Sequence, residues 1–262
     1  MLFVCLLGLT GCAVTGVAVG SRSVAIEEGV RHGFQPIILE VDGLLLFSML
    51  RPVPSRRRLT IFIEGDGAPW PSLGVPPGDP TPKRSIALEL ALRTPGAVAY
   101  LARSCQFQDK VGACPQKFWT THRFSSGQVS TMSSAVGALK KKAGASELVL
   151  VGFSGGGVHA TLLAQHRDDV VRLITLAAPL ALSEWTRKLN LSSFHNTDDP
   201  MIGPRLRMPS THYTGGRDRT VPPEVVEIFV RKQGGEFVLI KDFDHNCCWG
   251  KLPLGSLLGD GS

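Results

Sequence analysis

Leu148 to Ala160 reads LVLVGFSGGGVHA, and no other stretch limits the architecture of this chain as tightly. An apolar, β-rich run enters Gly152-Phe153-Ser154-Gly155-Gly156, and a helical pattern follows. This is G-x-S-x-G in a strand–turn–helix setting, the arrangement that lifts a serine onto a sharp turn as a nucleophile. Its glycines have a physical reason: a side chain at Gly152 or Gly156 would collide with the neighbouring strand or helix. Ser154 then stands at a helix N-terminus, where the dipole favours a developing negative charge. Gly155 to Ala160 also fits G-x-G-x-x-A, a dinucleotide fingerprint. That motif needs a carboxylate at the end of the next strand. The next strand ends in Thr175-Leu176-Ala177-Ala178-Pro179, so the nucleotide reading is set aside.

The rest of the chain alternates strand and helix signals. Pro36 to Leu50 reads as a hairpin about Asp42-Gly43. Leu59–Ile63, Ala97–Leu101, Glu147–Gly152, Val171–Leu176, Ser210–Thr214 and Glu236–Ile240 read as strands. Ser85–Arg93, Ser126–Ala143, Gly156–Arg167 and Pro222–Gln233 read as helices. Alternation of this kind predicts an α/β fold, a mostly parallel central sheet with helices on both faces. A Pro/Gly-rich loop runs from Trp70 to Pro82, and Ala178 to Met208 reads as irregular, with a small cap expected over 180–208.

Two later segments carry groups that would complete a serine nucleophile. Ser210 to Pro223 reads STHYTGGRDRTVPP, and Glu236 to Trp249 reads EFVLIKDFDHNCCW. Here the chain resembles the α/β-hydrolase superfamily, in which the acid follows a late strand as G-x-x-D before Val-Pro and the histidine follows the last strand. Gly215-Gly216-Arg217-Asp218 with Val221-Pro222, and His245, match that pattern. The resemblance implies that Ser154 is the nucleophile, His245 the base and Asp218 the residue orienting it, in the order Ser…Asp…His. Asp242 is a fallback acid. The resemblance extends from Ile61 to Trp249, to a group of bacterial lipoproteins of this fold. It rests on FIEGDG with Trp70 downstream, YLARSCQ, VGFSGGG, GGRDRTVPP and DHNCCW.

The superfamily pattern also implies two oxyanion donors. One is the backbone N–H of Gly155. The other comes from the loop after the third strand, where relatives carry His-Gly and this chain carries Glu64-Gly65. By that correspondence the donor belongs to Asp66, with Gly65 as the alternative. Two carboxylates beside an oxyanion would repel it unless they point away or pair with cations. Glu64 is accordingly read as structural.

Leu2 to Leu9 is apolar but too short to span a bilayer, and it leads into Leu9-Thr10-Gly11-Cys12, which resembles a bacterial lipobox. The reading is a lipoprotein signal over 1–11, clipped because no Lys or Arg precedes the apolar run, then lipidation at Cys12. A linker over 12–35 and an α/β-hydrolase domain over 36–262 follow. An exported, periplasm-facing protein of a bacterial cell envelope is expected, held to the membrane through acylated Cys12. Cys105, Cys114, Cys247 and Cys248 suit an oxidising compartment and are candidate disulfide residues, with three connectivities open. No C-x-x-C spacing suggests a metal, and no metal or cofactor is expected. The net charge is +6, but the basic residues are scattered and no nucleic-acid signature accompanies them. The expected partner is a small acyl substrate, and the expected function is a serine ester hydrolase acting through an acyl-enzyme. Alternatives are a non-catalytic envelope lipoprotein retaining the fold, or a peptidase or acyltransferase using the same triad.

Overall fold

Asp42 and Gly43 both take positive φ, 51° and 74°. They join strand β1 (Gln35–Val41) to strand β2 (Leu44–Arg51) in the tight antiparallel hairpin that an Asp-Gly pair favours. In a computed structural model, the described residues are 17–54, 56–68, 75–109 and 114–253. The apolar run 1–11, Cys12 and Trp70 lie outside them.

Apart from a two-residue antiparallel pairing of Val17–Ala18 with Arg84–Ser85, the remaining strands among the described residues are β3 (Arg58–Ile63), β4 (Val98–Leu101), β5 (Glu147–Phe153), β6 (Val170–Leu176), β7 (Ser210–Gly215) and β8 (Glu236–Ile240). They form one sheet with β1 and β2, in the order β1-β2-β4-β3-β5-β6-β7-β8. Pairing is antiparallel at β1–β2 and β2–β4 and parallel elsewhere. The central strands are buried on both faces, which is why LTIFI and LVLVG read as unbroken apolar runs.

Alternate residues feed two cores. Phe62, Tyr100, Val149, Val151 and Ile174 face one side, under helices α1 (Arg22–Arg31) and α2 (Ile86–Arg93). Leu59, Ile61, Ile63, Leu148, Leu150 and Leu173 face the other, under α3 (Ser126–Ala143) and α4 (Gly155–His166). The helix ends follow local chemistry. Ser85 Oγ accepts the Leu88 N–H at 2.9 Å to start α2, and Gly144 ends α3 at φ 66°.

Two expectations need correction. The linker expected over 12–35 contains α1, whose buried face is only Ala25 and Gly29, too slight a pattern to register as amphipathic. The stretch expected to be irregular from 178 to 208 contains α5 (Leu182–Leu189). Leu180, Ala181, Leu182 and Trp185 pack with Val225, Val226 and Phe229 in a third core. The last three belong to α6 (Pro223–Gln233).

His212 lies on β7 inside the protein. Its Nδ1 is 2.9 Å from Thr175 Oγ1, and its ring meets Phe229 edge-on at 5.3 Å. Burial pushes its pKa from 6.5 down to about 4. The unfolded chain therefore takes up a proton near pH 6.5 that the folded chain refuses until about pH 4. Stability is complete above the unfolded value and falls as the pH drops through this window. Between pH 7 and 5 this one group should cost about 2 kcal/mol. Urea unfolding of the parent should show that fall, and His212→Gln should show a smaller one. Equal falls in the two proteins would mean that His212 is not buried neutral.

Candidate active site

The order of the strands decides where a site can form. From β3 the chain leaves to one side, through α2 on one face, to reach β4. From β5 it leaves to the other side, through α4 on the opposite face. The crevice between the carboxyl ends of β3 and β5 is thus the switch point of the sheet, where open α/β folds hold their ligands. Ile63 of β3 lies opposite Gly152 of β5. The loop Glu64-Gly65-Asp66 and the turn at Ser154 emerge side by side.

Ser154 has φ 50° and ψ −125°, a sharply bent backbone outside the helical and extended regions. Its N–H donates to the Leu176 carbonyl at 2.8 Å, and its own carbonyl accepts from Gly157 at 2.9 Å. The flanking glycines are required as expected. A Cβ at Gly152 would overlap the Gly156 carbonyl, and one at Gly156 would overlap the carbonyls of Ile63 and Glu64.

Strands β7 and β8 deliver the other two groups to the same edge. Asp218 follows β7 with its carboxylate wholly buried. Oδ1 accepts the N–H groups of Thr220 and Val221, each at 2.8 Å. Oδ2 lies 2.8 Å from His245 Nδ1. His245 follows β8, and its Nε2 lies 3.1 Å from Ser154 Oγ. With a carboxylate at Nδ1, the neutral ring carries its proton there and leaves Nε2 to accept from the serine. The imidazole is held from several sides. Its ring lies 5.3 Å from that of Phe153, and the Trp249 indole N–H donates to the His245 carbonyl at 3.0 Å. Asp244 Oδ1 accepts the N–H groups of Asn246 and Cys247 at 2.8 Å each. The structure therefore brings Ser154, His245 and Asp218 together in hydrogen-bonded sequence. Asp242, the fallback acid, is exposed and pairs with Arg217 at 2.7 Å.

The oxyanion donors are resolved further by the Glu64 carboxylate. Glu64 Oε1 accepts the Gly65 N–H at 2.9 Å, so that N–H is already engaged, which favours Asp66 of the two candidates named from the sequence. The Asp66 residue itself stands against the start of α4, where a Cβ at Gly155 would overlap its carboxylate. Glu64 turns away from the site. It is buried, and its Oε2 accepts from Tyr100 at 2.7 Å and from Ser85. Burial raises its pKa against the pull of these bonds.

The Asp66 carboxylate is paired. Arg103 Nη1 lies 2.9 Å from Oδ1 and Arg123 Nε 3.2 Å from Oδ2. Burial works to raise the Asp66 pKa, but the Arg123 and Arg103 guanidiniums outweigh it and hold the carboxyl below its usual range. The two guanidiniums thus offset the Asp66 carboxylate, which would otherwise repel the expected oxyanion. Arg123 is seated among aromatic rings, 4.6 Å from the Phe194 centroid. Its carbonyl is met by Arg103 Nη2 and by His159 Nε2, each at 2.9 Å. Burial and the Arg103 charge push the His159 pKa well below 6.5. That ring is therefore neutral and fixes Arg123 through a single donated hydrogen bond.

Sequence reasoning missed Arg103, Arg123 and Gln106. The segment YLARSCQ stood out, but apart from Cys105 as a candidate disulfide residue nothing in it carried an assigned role, and Arg123 had no local signal at all. The cysteines pair as Cys105–Cys114, with Cα atoms 5.5 Å apart, and Cys247–Cys248. This is one of the three connectivities left open.

No protein-family model matches the chain, and no curated protein matches it in sequence. Solved structures do match. The Pyrococcus furiosus esterase Pf2001 superposes with a TM-score of 0.62 at 14% identity, over 96% of this chain and 98% of that one. Est1E from Butyrivibrio proteoclasticus gives 0.59 at 17% identity, over 87% and 98%. An α/β serine hydrolase homologue from Coxiella burnetii gives 0.58 at 16% identity, over 86% and 95%. The chain has the α/β-hydrolase fold.

Proposed function

We propose that this chain is a serine hydrolase that cleaves an ester or other acyl substrate through an acyl-enzyme. The observation that carries the reading is the unbroken relay from Ser154 Oγ through His245 to the buried Asp218, with Ser154 on its strained turn. His245 Nε2 takes the hydroxyl proton as Oγ attacks the acyl carbonyl. Nδ1 keeps its proton and the carboxylate of Asp218 stabilises the resulting imidazolium. The tetrahedral oxyanion lies against the N–H groups of Gly155 and Asp66, with the Asp66 carboxylate offset by Arg103 and Arg123. When the intermediate collapses, the C–O bond to the leaving group breaks and Nε2–H protonates the departing oxygen. Water then gives its proton to Nε2 and its oxygen to the acyl carbon, and Ser154 Oγ leaves with the returned proton.

The fold, shared with proteins described as esterases, supports an ester before an amide. The test is a panel of p-nitrophenyl esters from acetate to palmitate run beside peptide p-nitroanilides. Ester turnover with a chain-length optimum is the expected result. Turnover of the anilides alone would make the chain a peptidase, and turnover of neither would favour a non-catalytic protein of this fold.

We also propose the bacterial cell envelope as its location, with the membrane anchor at Cys12. The two cysteine pairs support an oxidising compartment. Incorporation of labelled palmitate into the native full-length protein, lost in Cys12→Ser, tests the anchor. No incorporation into the parent would remove it.

A further inference from the structure

The hydrogen bonds around the loop after β3 form a pattern that the reaction steps above do not use. Three consecutive residues of that loop are each held by one residue of the segment 100–106. Tyr100 holds the Glu64 carboxylate at 2.7 Å, and Arg103 holds the Asp66 carboxylate at 2.9 Å. Gln106 Nε2 donates to the Gly65 carbonyl at 3.0 Å. The segment is curled to do so, with Cys105 at φ 74° and Phe107 at φ 57°. Cys105 is tied by its disulfide to Cys114.

The Gln106 contact falls on the peptide unit that matters. The Gly65 carbonyl and the Asp66 N–H belong to one planar amide, trans because Cys247-Cys248 is the one cis bond among the described residues. In a trans amide the two groups point in opposite directions. A donor that fixes the carbonyl therefore fixes the aim of the N–H. Gln106 is 1% exposed, and its own orientation is set. Oε1 accepts the Arg103 N–H at 2.9 Å, so Nε2 is the atom turned to Gly65. Arg103 clamps the same unit from its other end through the Asp66 side chain.

We propose that the segment Tyr100–Gln106 is a cradle for the oxyanion donor, and that Gln106 is a positioning residue that aims the Asp66 N–H at the reacting oxygen. The proposal rests on the serine-hydrolase reading of the site. A donor aimed in advance stabilises the oxyanion without reorganising during the reaction. A donor free to tilt loses that advantage in the transition state while hardly touching ground-state binding.

Gln106→Glu is the sharpest variant. It keeps an acceptor for the Arg103 N–H, removes the donor to Gly65 and sets a carboxylate oxygen against that carbonyl. Gln106→Asn is the milder one, since its amide is one methylene too short to span both partners. The parent and both variants would be titrated for active sites with a fluorophosphonate and checked by urea unfolding. Rates would be measured on a p-nitrophenyl ester, and affinity for a trifluoromethyl ketone whose hemiketal oxygen occupies the oxyanion position. The expected result is a loss of kcat of about 10- to 100-fold in Gln106→Glu, smaller in Gln106→Asn, with KM little changed. Affinity for the ketone should fall by the same factor as kcat/KM. A structural role alone would lower the unfolding midpoint and leave kcat per titrated site intact. Parental kcat in either folded variant overturns the proposal, as does a kcat loss with unchanged ketone affinity. If Gln106→Glu does not fold, the Asn variant decides alone. A parent that neither turns over esters nor reacts with the fluorophosphonate defeats the hydrolase reading, and this inference with it.

Discussion

Ser154→Ala is expected to lower ester turnover by at least about 10⁴-fold at neutral pH while leaving a folded protein. The expectation follows from what the hydroxyl touches. Its one short polar contact to another side chain is His245 Nε2 at 3.1 Å, so its loss removes the nucleophile and little of the fold. The bent backbone at φ 50° is retained, because alanine also carries a Cβ and meets the same local strain. Stability should stay within about 1 kcal/mol of the parent. What survives is the contribution of the Gly155 and Asp66 donors and of binding, so the residual rate should exceed that of water alone. Steady-state rates on the best ester of the panel, with a urea unfolding curve for each protein, check both halves. A folded alanine variant turning over within tenfold of the parent would show that another group is the nucleophile.

Asp218→Asn carries the second largest effect and probes the orientation of the base. The carboxamide can still accept the N–H groups of Thr220 and Val221 through the oxygen that replaces Oδ1. The position of Oδ2, 2.8 Å from His245 Nδ1, then becomes an NH₂ group. To accept from it, the imidazole must give up its Nδ1 proton and carry it on Nε2. That nitrogen then faces Ser154 Oγ as a donor and cannot take its proton. Turnover is expected to fall by about 10³- to 10⁴-fold, with the geometry of the site nearly unchanged. KM should move much less than kcat. A loss below tenfold in a folded variant would mean that the Asp218 carboxylate does not set the tautomer of His245.

The contrast between what could be read from the sequence and what could not has a physical basis. The elbow was legible because its needs are local. A strand, a bent serine and glycines packed against backbone all fall within thirteen residues. Asp218 and His245 were legible by position, since each follows a strand and the carboxyl ends of parallel strands share one edge of the sheet. The hairpin at Asp42-Gly43 was legible because turn chemistry is a matter of two residues. Helix α1 was not, because its buried face consists of Ala25 and Gly29, and Met49 packs where a larger residue at 29 would stand. Helix α5 was hidden for a related reason: Leu182, Trp185 and Thr186 are its only buried positions. The pairing of Asp66 with Arg103 and Arg123 was beyond reach altogether. It depends on β4 lying next to β3, which brings residues 37 apart in sequence into contact. Sequence reasoning could state that a carboxylate beside an oxyanion needs a cation, but not which cation would arrive.

The central claim is that Ser154, activated by His245 and Asp218, is the nucleophile of this chain. The most direct measurement is mass spectrometry of the native protein after reaction with a fluorophosphonate, followed by peptide mapping of the adduct. One equivalent of label is expected, carried by Ser154 and absent when His245 is replaced by alanine. No label on folded protein, or label carried by a different residue, would contradict it.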